Sequence, residues 1–247
     1  VNRFKLTIEY DGSHYSGWQK QPDAPSIQQV LEEAVVQFCG QHCDVVGAGR
    51  TDAGVHALGQ VAHVDLPKDY DPYKVMQGLN YHMLALAPSI AILNAEPAPD
   101  DFHARFSATR RHYRYRIVNR RARMAVDLGR AWQVGEALDV DAMQQAAQHL
   151  IGHHDFTSFR DSECQAKSPI KTLDNLSITR SGEDITITTD ARSFLHHQVR
   201  NMVGTLVLVG KGRWQPEDVK TALDAKDRKQ AGPTAPPDGL YLTKVEY

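Results

Sequence analysis

The chain has 247 residues, 41 % hydrophobic and 23 % charged, which is the balance of an ordinary globular protein with room for one large domain or two smaller ones. Its formal net charge of −2 rules out a uniformly basic polyanion binder, but the charge is uneven: residues 1–100 carry 12 acidic and 6 basic side chains, and residues 101–247 carry 18 and 22. Cys39, Cys43 and Cys164 are too few for a disulfide framework and are expected as reduced thiols; with no run of about 18 apolar residues and no signal-peptide-like apolar region, a cytoplasmic location without a membrane partner is expected.

Arg3 to Tyr10 alternates in the manner of a strand, with Phe4, Leu6, Ile8 and Tyr10 on one face. Asp11-Gly12 marks a turn. Ser26 followed by Gln29 predicts a capped helix to about Phe38, stopped by Gly40. Residues 45–58 read as a glycine-rich loop, Gln60 to Asp65 as a strand, Asp71-Pro72 as the start of a helix to about Leu84, and Ile90 to Glu96 as a strand. In the second half, His112 to Val118 reads as a strand and Val140 to Leu150 as a helix capped by Asp139. Leu173 to Arg180 and Asp184 to Arg192 form a predicted hairpin around Ser181-Gly182. Phe194 to Val209 follows the 3.6-residue period through Leu195, Val199, Met202, Leu206 and Val209. Pro216 opens another short helix, and Leu240 to Tyr247 closes the chain as a strand. Both halves mix strands and helices, so the expected class is α+β, divided into residues 1–103 and 104–247.

The stretch Gly47-Ala-Gly-Arg-Thr-Asp-Ala-Gly-Val-His-Ala57 sets a carboxylate, Asp52, between a guanidinium, Arg50, and an imidazole, His56, among small residues that allow close backbone approach. It is neither a phosphate-binding Walker loop nor a dinucleotide fingerprint, and on residue types alone it also fits a plain turn with an Asx bond. Arg105 to Arg123 holds eight arginines, with no acid between Phe102 and Val126, interleaved with His103, His112, Tyr113 and Tyr115. Charge for phosphate and π-faces for bases is what nucleic-acid binding uses, which makes Arg110, Arg111 and Arg114 candidate contacts. The alternative is an exposed strand face with solvated arginines. Cys39-x3-Cys43 beside His42 lacks a second ligand pair at zinc spacing, and the pairs His153-His154 and His196-His197 are expected on diverging faces, so no metal and no cofactor is expected.

GRTDAGVHA (Gly49 to Ala57) resembles the signature loop of the tRNA pseudouridine synthase A family. YDGSHYSGWQ (Tyr10 to Gln19), FHARFSATRRHYRYRI (Phe102 to Ile117), HDFTSFR (His154 to Arg160), FLHHQVRNMVGTL (Phe194 to Leu206) and PPDGLYLTKVEY (Pro236 to Tyr247) are similar to further segments of that family, in the same order. Gln198 stands where an apolar residue is usual, and His112 and Pro169 are less typical. The resemblance implies two similar mixed α/β halves with their sheets side by side and the active site in the cleft between them. It implies isomerisation of uridine to pseudouridine at positions 38–40 of the tRNA anticodon stem-loop, by a homodimer. Asp52 would be the nucleophile, Arg200 the cation that keeps it ionised, and Tyr113 the ring against the flipped uracil. Arg50 would fill the space the base vacates, and His56 would contact substrate. Tyr115 shares a strand face with Tyr113, and residue types alone do not separate the two. Without the motif, Arg200 reads as a solvated helix arginine. A non-catalytic RNA-binding module on the same scaffold is the rival reading, and it has no use for the carboxylate of Asp52.

Overall fold

The computed structural model describes residues 2–162, 164 and 166–247. Its backbone contacts gather into two units, Val1–Thr109 with Tyr241–Tyr247, and Arg110–Leu240. The expected division after residue 103 assigned the closing strand to the second half. In the structure its residues Tyr241–Tyr247 gather with the first unit. A parallel pairing between segments almost 200 residues apart leaves no local trace in sequence.

The first unit is built on β1 (Asn2–Tyr10), α1 (Ile27–Cys39), β2 (Val45–Gly47), β3 (His56–Leu66), α2 (Pro72–Leu86) and β4 (Ile90–Pro97). The strand at the chain's end, Leu240–Glu246, adds to it. β1 lies between β4 and β3, antiparallel to both, with Phe4 opposite Val64 and Leu6 opposite Ala62. On its other edge β3 takes β2 along its second half (Val45 opposite Val64) and the closing strand, in parallel, along its start (Tyr241 opposite His56). The alternation seen in sequence is the alternation of burial: Phe4, Leu6 and Ile8 are buried against helices whose inward faces carry Ile27, Leu31, Val35, Val75, Leu79 and Met83. Ser26 accepts from Gln29 N and Asp71 from Lys74 N, so both helices begin where their caps predict. Gly40 ends α1 at φ 82°. At the irregularity where β4 slips one residue against β1, the side-chain amide of Asn80 donates to Ile92 O and accepts from Ile92 N, both at 2.8 Å. The groups a bulge would leave unpaired are thereby satisfied.

His63, on β3, is buried, and its Nδ1 accepts from Ala104 N at 3.2 Å. Burial, helped by the nearby charges of Arg3 and His103, pulls its pKa down from 6.5 to about 4. The folded state therefore refuses a proton that the unfolded chain accepts. This contribution is full above pH 6.5 and is lost as the pH falls toward 4. We expect the wild type to lose about 2–3 kcal/mol more than His63→Gln between pH 7 and pH 4.5 in urea unfolding. Equal losses would show that His63 does not set the acid limit.

The second unit holds β5 (Arg110–Asn119), β6 (Trp132–Val134), α3 (Val140–Gln148), β7 (Gly152–Asp155), β8 (Ile170–Ser181), β9 (Asp184–Ala191), α4 (Gln198–Gly210) and α5 (Pro216–Ala225); the closing strand becomes β10. The order is β5-β9-β8-β7, with β6 parallel to β5. β8 and β9 form the predicted hairpin, closed between Ser181 and Asp184. α3, capped by Asp139, packs against α4, α5 and β8.

α4 begins four residues later than its period suggests. Phe194 to His197 continue the apolar spacing, but His197 has φ 61°, outside the helix, and its Nδ1 lies 2.7 Å from Asp161 Oδ2. His196 and His197 therefore precede α4. Their rings lie together, centroids 4.0 Å apart, and do not diverge as expected of helical neighbours. Among the described residues, no helix is long and apolar enough to cross a membrane.

Candidate active site

Asp52 sits on the connection from β2 to β3, two strands that are antiparallel neighbours. The loop could collapse or wander, but it is held by groups on both sides of the carboxylate. Thr51 O accepts from Trp18 N at 3.0 Å, and Thr51 Oγ1 shares a 2.7 Å hydrogen bond with the buried hydroxyl of Tyr10. Gln60, fully buried, donates to Gly49 O at 3.0 Å. Gly54 N donates to Tyr15 O, and Val55 N closes a turn on Asp52 O at 3.1 Å. Burial pushes the Tyr10 hydroxyl up to about 12, so it remains a neutral hydrogen-bonding group. The Asp52 side chain is half-buried and Arg50 is exposed. Tyr10, Tyr15 and Trp18 belong to Tyr10-to-Gln19, a segment that carries a family resemblance but no expected role.

His56, expected to touch substrate, is 2 % exposed. It stacks on Tyr241 at 4.7 Å, and its Nδ1 lies 3.1 Å from Gly12 N and 3.2 Å from Asp11 Oδ1. Within this unit it ties the start of β3 to the Asp11-Gly12 turn and to β10.

In the second unit, Arg200 is the single charged residue of α4, a helix buried almost all round. A helix of that kind belongs to the core, and a cation there is costly unless something answers it. Its Nε donates to Ala235 O at 2.8 Å.

Tyr113 and Tyr115 do share a face of β5, but their surroundings differ. Tyr115 is fully buried, edge-on to Trp132, and its hydroxyl donates to Pro236 O at 2.7 Å. Burial holds that hydroxyl well above the ordinary phenol range, and the charge of Arg200 offsets only part of this. Tyr113 is half-buried and meets Phe194 edge-on at 5.1 Å.

The arginine strand is less starved of acids than its own sequence suggests. Arg110 has Asp174 and Asp190 each at 3.6 Å, Arg116 has Asp127 at 3.2 Å and Asp184 at 3.6 Å, and Arg120 has Glu183 at 3.0 Å. Arg111 donates to Arg192 O at 2.6 Å. The partners lie mainly on β8, β9 and their turn, which pairing brings alongside. The case for Arg110, Arg111 and Arg114 as RNA contacts rests on their type and placement.

The sequence model of a family described as tRNA pseudouridine synthase matches residues 6–107 and 146–247. A tRNA pseudouridine synthase A of Rhodopseudomonas palustris (strain HaA2) is 60 % identical over 99 % of this chain and 99 % of its own length. Those of Paramagnetospirillum magneticum and Sinorhizobium fredii are 59 % and 53 % identical over 99 % of this chain, and over 95 % and 99 % of their own lengths.

Proposed function

Because the chain belongs to the tRNA pseudouridine synthase family, we propose that it isomerises uridines 38–40 of the tRNA anticodon stem-loop, with Asp52 as the nucleophile. It is an isomerase that converts uridine to pseudouridine in tRNA. The N1–C1′ glycosidic bond breaks, the uracil turns, and C5 bonds to C1′; C5 gives up its hydrogen as a proton and N1 gains one. No redox cofactor or energy source enters that balance.

The observation that carries the assignment of Asp52 is the way its loop is held. Thr51 and Gly49 are fixed by Tyr10, Trp18 and Gln60, so a half-buried carboxylate is presented on a backbone with little freedom. Such pre-positioning is what covalent catalysis by a carboxylate needs, and a binding module has no use for it. Arg200 is assigned the positive charge the reaction requires. Tyr113 is assigned the ring against the uracil, because Tyr115 is already committed to Pro236 and to the core. A stacked target base must be extruded at a cost of a few kcal/mol, and Arg50, exposed two residues before Asp52, is assigned the vacated space. We place the enzyme in the cytoplasm, acting as a homodimer. Mapping pseudouridine in an unmodified tRNA transcript tests the target assignment: modification confined to positions 38–40 supports it, and modification elsewhere removes it.

Arg110, Arg111 and Arg114 are assigned to phosphate. Changing all three to Gln should weaken tRNA binding and lower the slope of log K against log salt by about one unit per lost contact. An unchanged slope would make β5 a solvated face.

A further inference from the structure

Arg200 leaves α4 in its first turn, and its Nε donates to the carbonyl of Ala235 at 2.8 Å. The reverse bond also exists: Ala235 N donates to Arg200 O at 3.1 Å. Ala235 ends a loop that follows α5 and lies on α4 as closely as backbone permits. A Cβ on Gly204 would fall 1.7 Å from Pro233 O, and one on Gly232 would fall 2.7 Å from Thr205 Cα. Gly232 N donates to Thr205 Oγ1 at 2.9 Å.

Arg228, just before this loop, adds a further tie to the helix. The guanidinium of Arg228 donates to Gly232 O at 2.8 Å and Ala231 O at 3.5 Å on the loop, to Thr234 Oγ1 at 3.1 Å, and to Asn201 Oδ1 at 3.0 Å on the helix. Asn201 is fully buried and immediately follows Arg200. Its amide donates to Phe159 O at 2.9 Å, and its Oδ1 also accepts from Thr234 Oγ1 at 2.7 Å. The planar fork of an arginine can meet such divergent acceptors at once, whereas a lysine presents a single point of charge.

We infer that Arg228 is a positioning residue for Arg200: it clamps the Ala231-to-Ala235 loop onto α4, and so holds the Ala235 carbonyl where it fixes the plane of the Arg200 guanidinium. The inference rests on the proposed role of Arg200 in catalysis. Fixing Nε fixes the directions in which the two terminal amino groups are offered, and small misplacements of a reacting group are expensive.

The test uses the full chain and an unmodified tRNA transcript. Arg228→Lys should lower kcat at least about tenfold while leaving KM for tRNA within about threefold, because the clasp orients and does not bind RNA. Thr234→Val, which removes only the hydroxyl between Arg228 and Asn201, should show the same split with a smaller fall, and it serves if Arg228→Lys does not fold. In an Arg200→Lys background, Arg228→Lys should cost less than about twofold more, since it acts through a residue already altered. A lowered Tm with wild-type kcat per folded enzyme, or a full multiplicative loss in the double variant, would overturn the inference. Arg200→Met separates the two claims. If it is inactive while Arg228→Lys and Thr234→Val run at the wild-type rate, the clasp alone fails. If Arg200→Met itself runs at the wild-type rate, the assignment of Arg200 fails, and the clasp's catalytic role with it.

Discussion

Asp52→Asn is expected to make no pseudouridine while binding tRNA within about tenfold of the wild type. The amide is nearly isosteric with the carboxylate but is not a nucleophile, so the covalent step is lost and the binding surface is kept. The loop should survive the change, because the backbone of Gly49, Thr51 and Gly54 and the hydroxyl of Thr51 anchor it. A large fall in affinity would instead mean that the carboxylate organises the RNA site. Near-normal turnover would remove Asp52 from the chemistry.

The second large effect is expected at Gly17, far from Asp52 in sequence but against it in the fold. Its φ is +100°, a conformation that side chains resist, and a Cβ there would lie 2.5 Å from Thr51 O and 3.1 Å from the Asp52 carbonyl carbon. Neither neighbour is a flexible side chain that can swing away; both are the backbone that carries Asp52, the proposed nucleophile. Gly17→Ala should therefore destabilise the protein by about 2–4 kcal/mol and lower kcat about a hundredfold, as expected for displacement of the reacting group by an ångström or so. Gly40→Ala provides the control. Gly40 also has positive φ, at 82°, but a Cβ there meets nothing within 4 Å, so only the backbone cost of about 1 kcal/mol should appear, with turnover unchanged. Thermal unfolding and single-turnover rates on both variants distinguish the collision from the strain. Equal behaviour would refute the close contact between Gly17 and the Asp52 loop.

The helices are legible in sequence wherever a cap names their start: Ser26, Asp71 and Asp139 each accept the backbone N–H expected of them, and Pro216 opens α5. The long strands are legible from alternation, β1 most plainly. β2, β6 and β7 are not, since three or four residues carry no period. They exist because neighbouring strands supply partners. The start of α4 misleads because apolar spacing does not report backbone handedness, and His197 takes the left-handed form before the helix begins.

The site divides along the same line. Asp52, Arg200 and the tyrosines stand out by type and motif, but what separates Tyr115 from Tyr113 is a carbonyl more than 120 positions away. The acids beside the β5 arginines, and Arg228 beside Asn201, are likewise non-local. Each is invisible until the sheet or the loop has closed.

The hydrogen at C5 of uridine reports on the isomerisation itself. In a tRNA transcript carrying tritium at C5 of its uridines, carbon–carbon bond formation between C5 and C1′ must expel that tritium to water. Tritium release that keeps pace with pseudouridine formation, one tritium per uridine converted, is expected with wild-type protein, and none above background with Asp52→Asn. Tight tRNA binding without tritium release by the wild type, or release undiminished in Asp52→Asn, would contradict it.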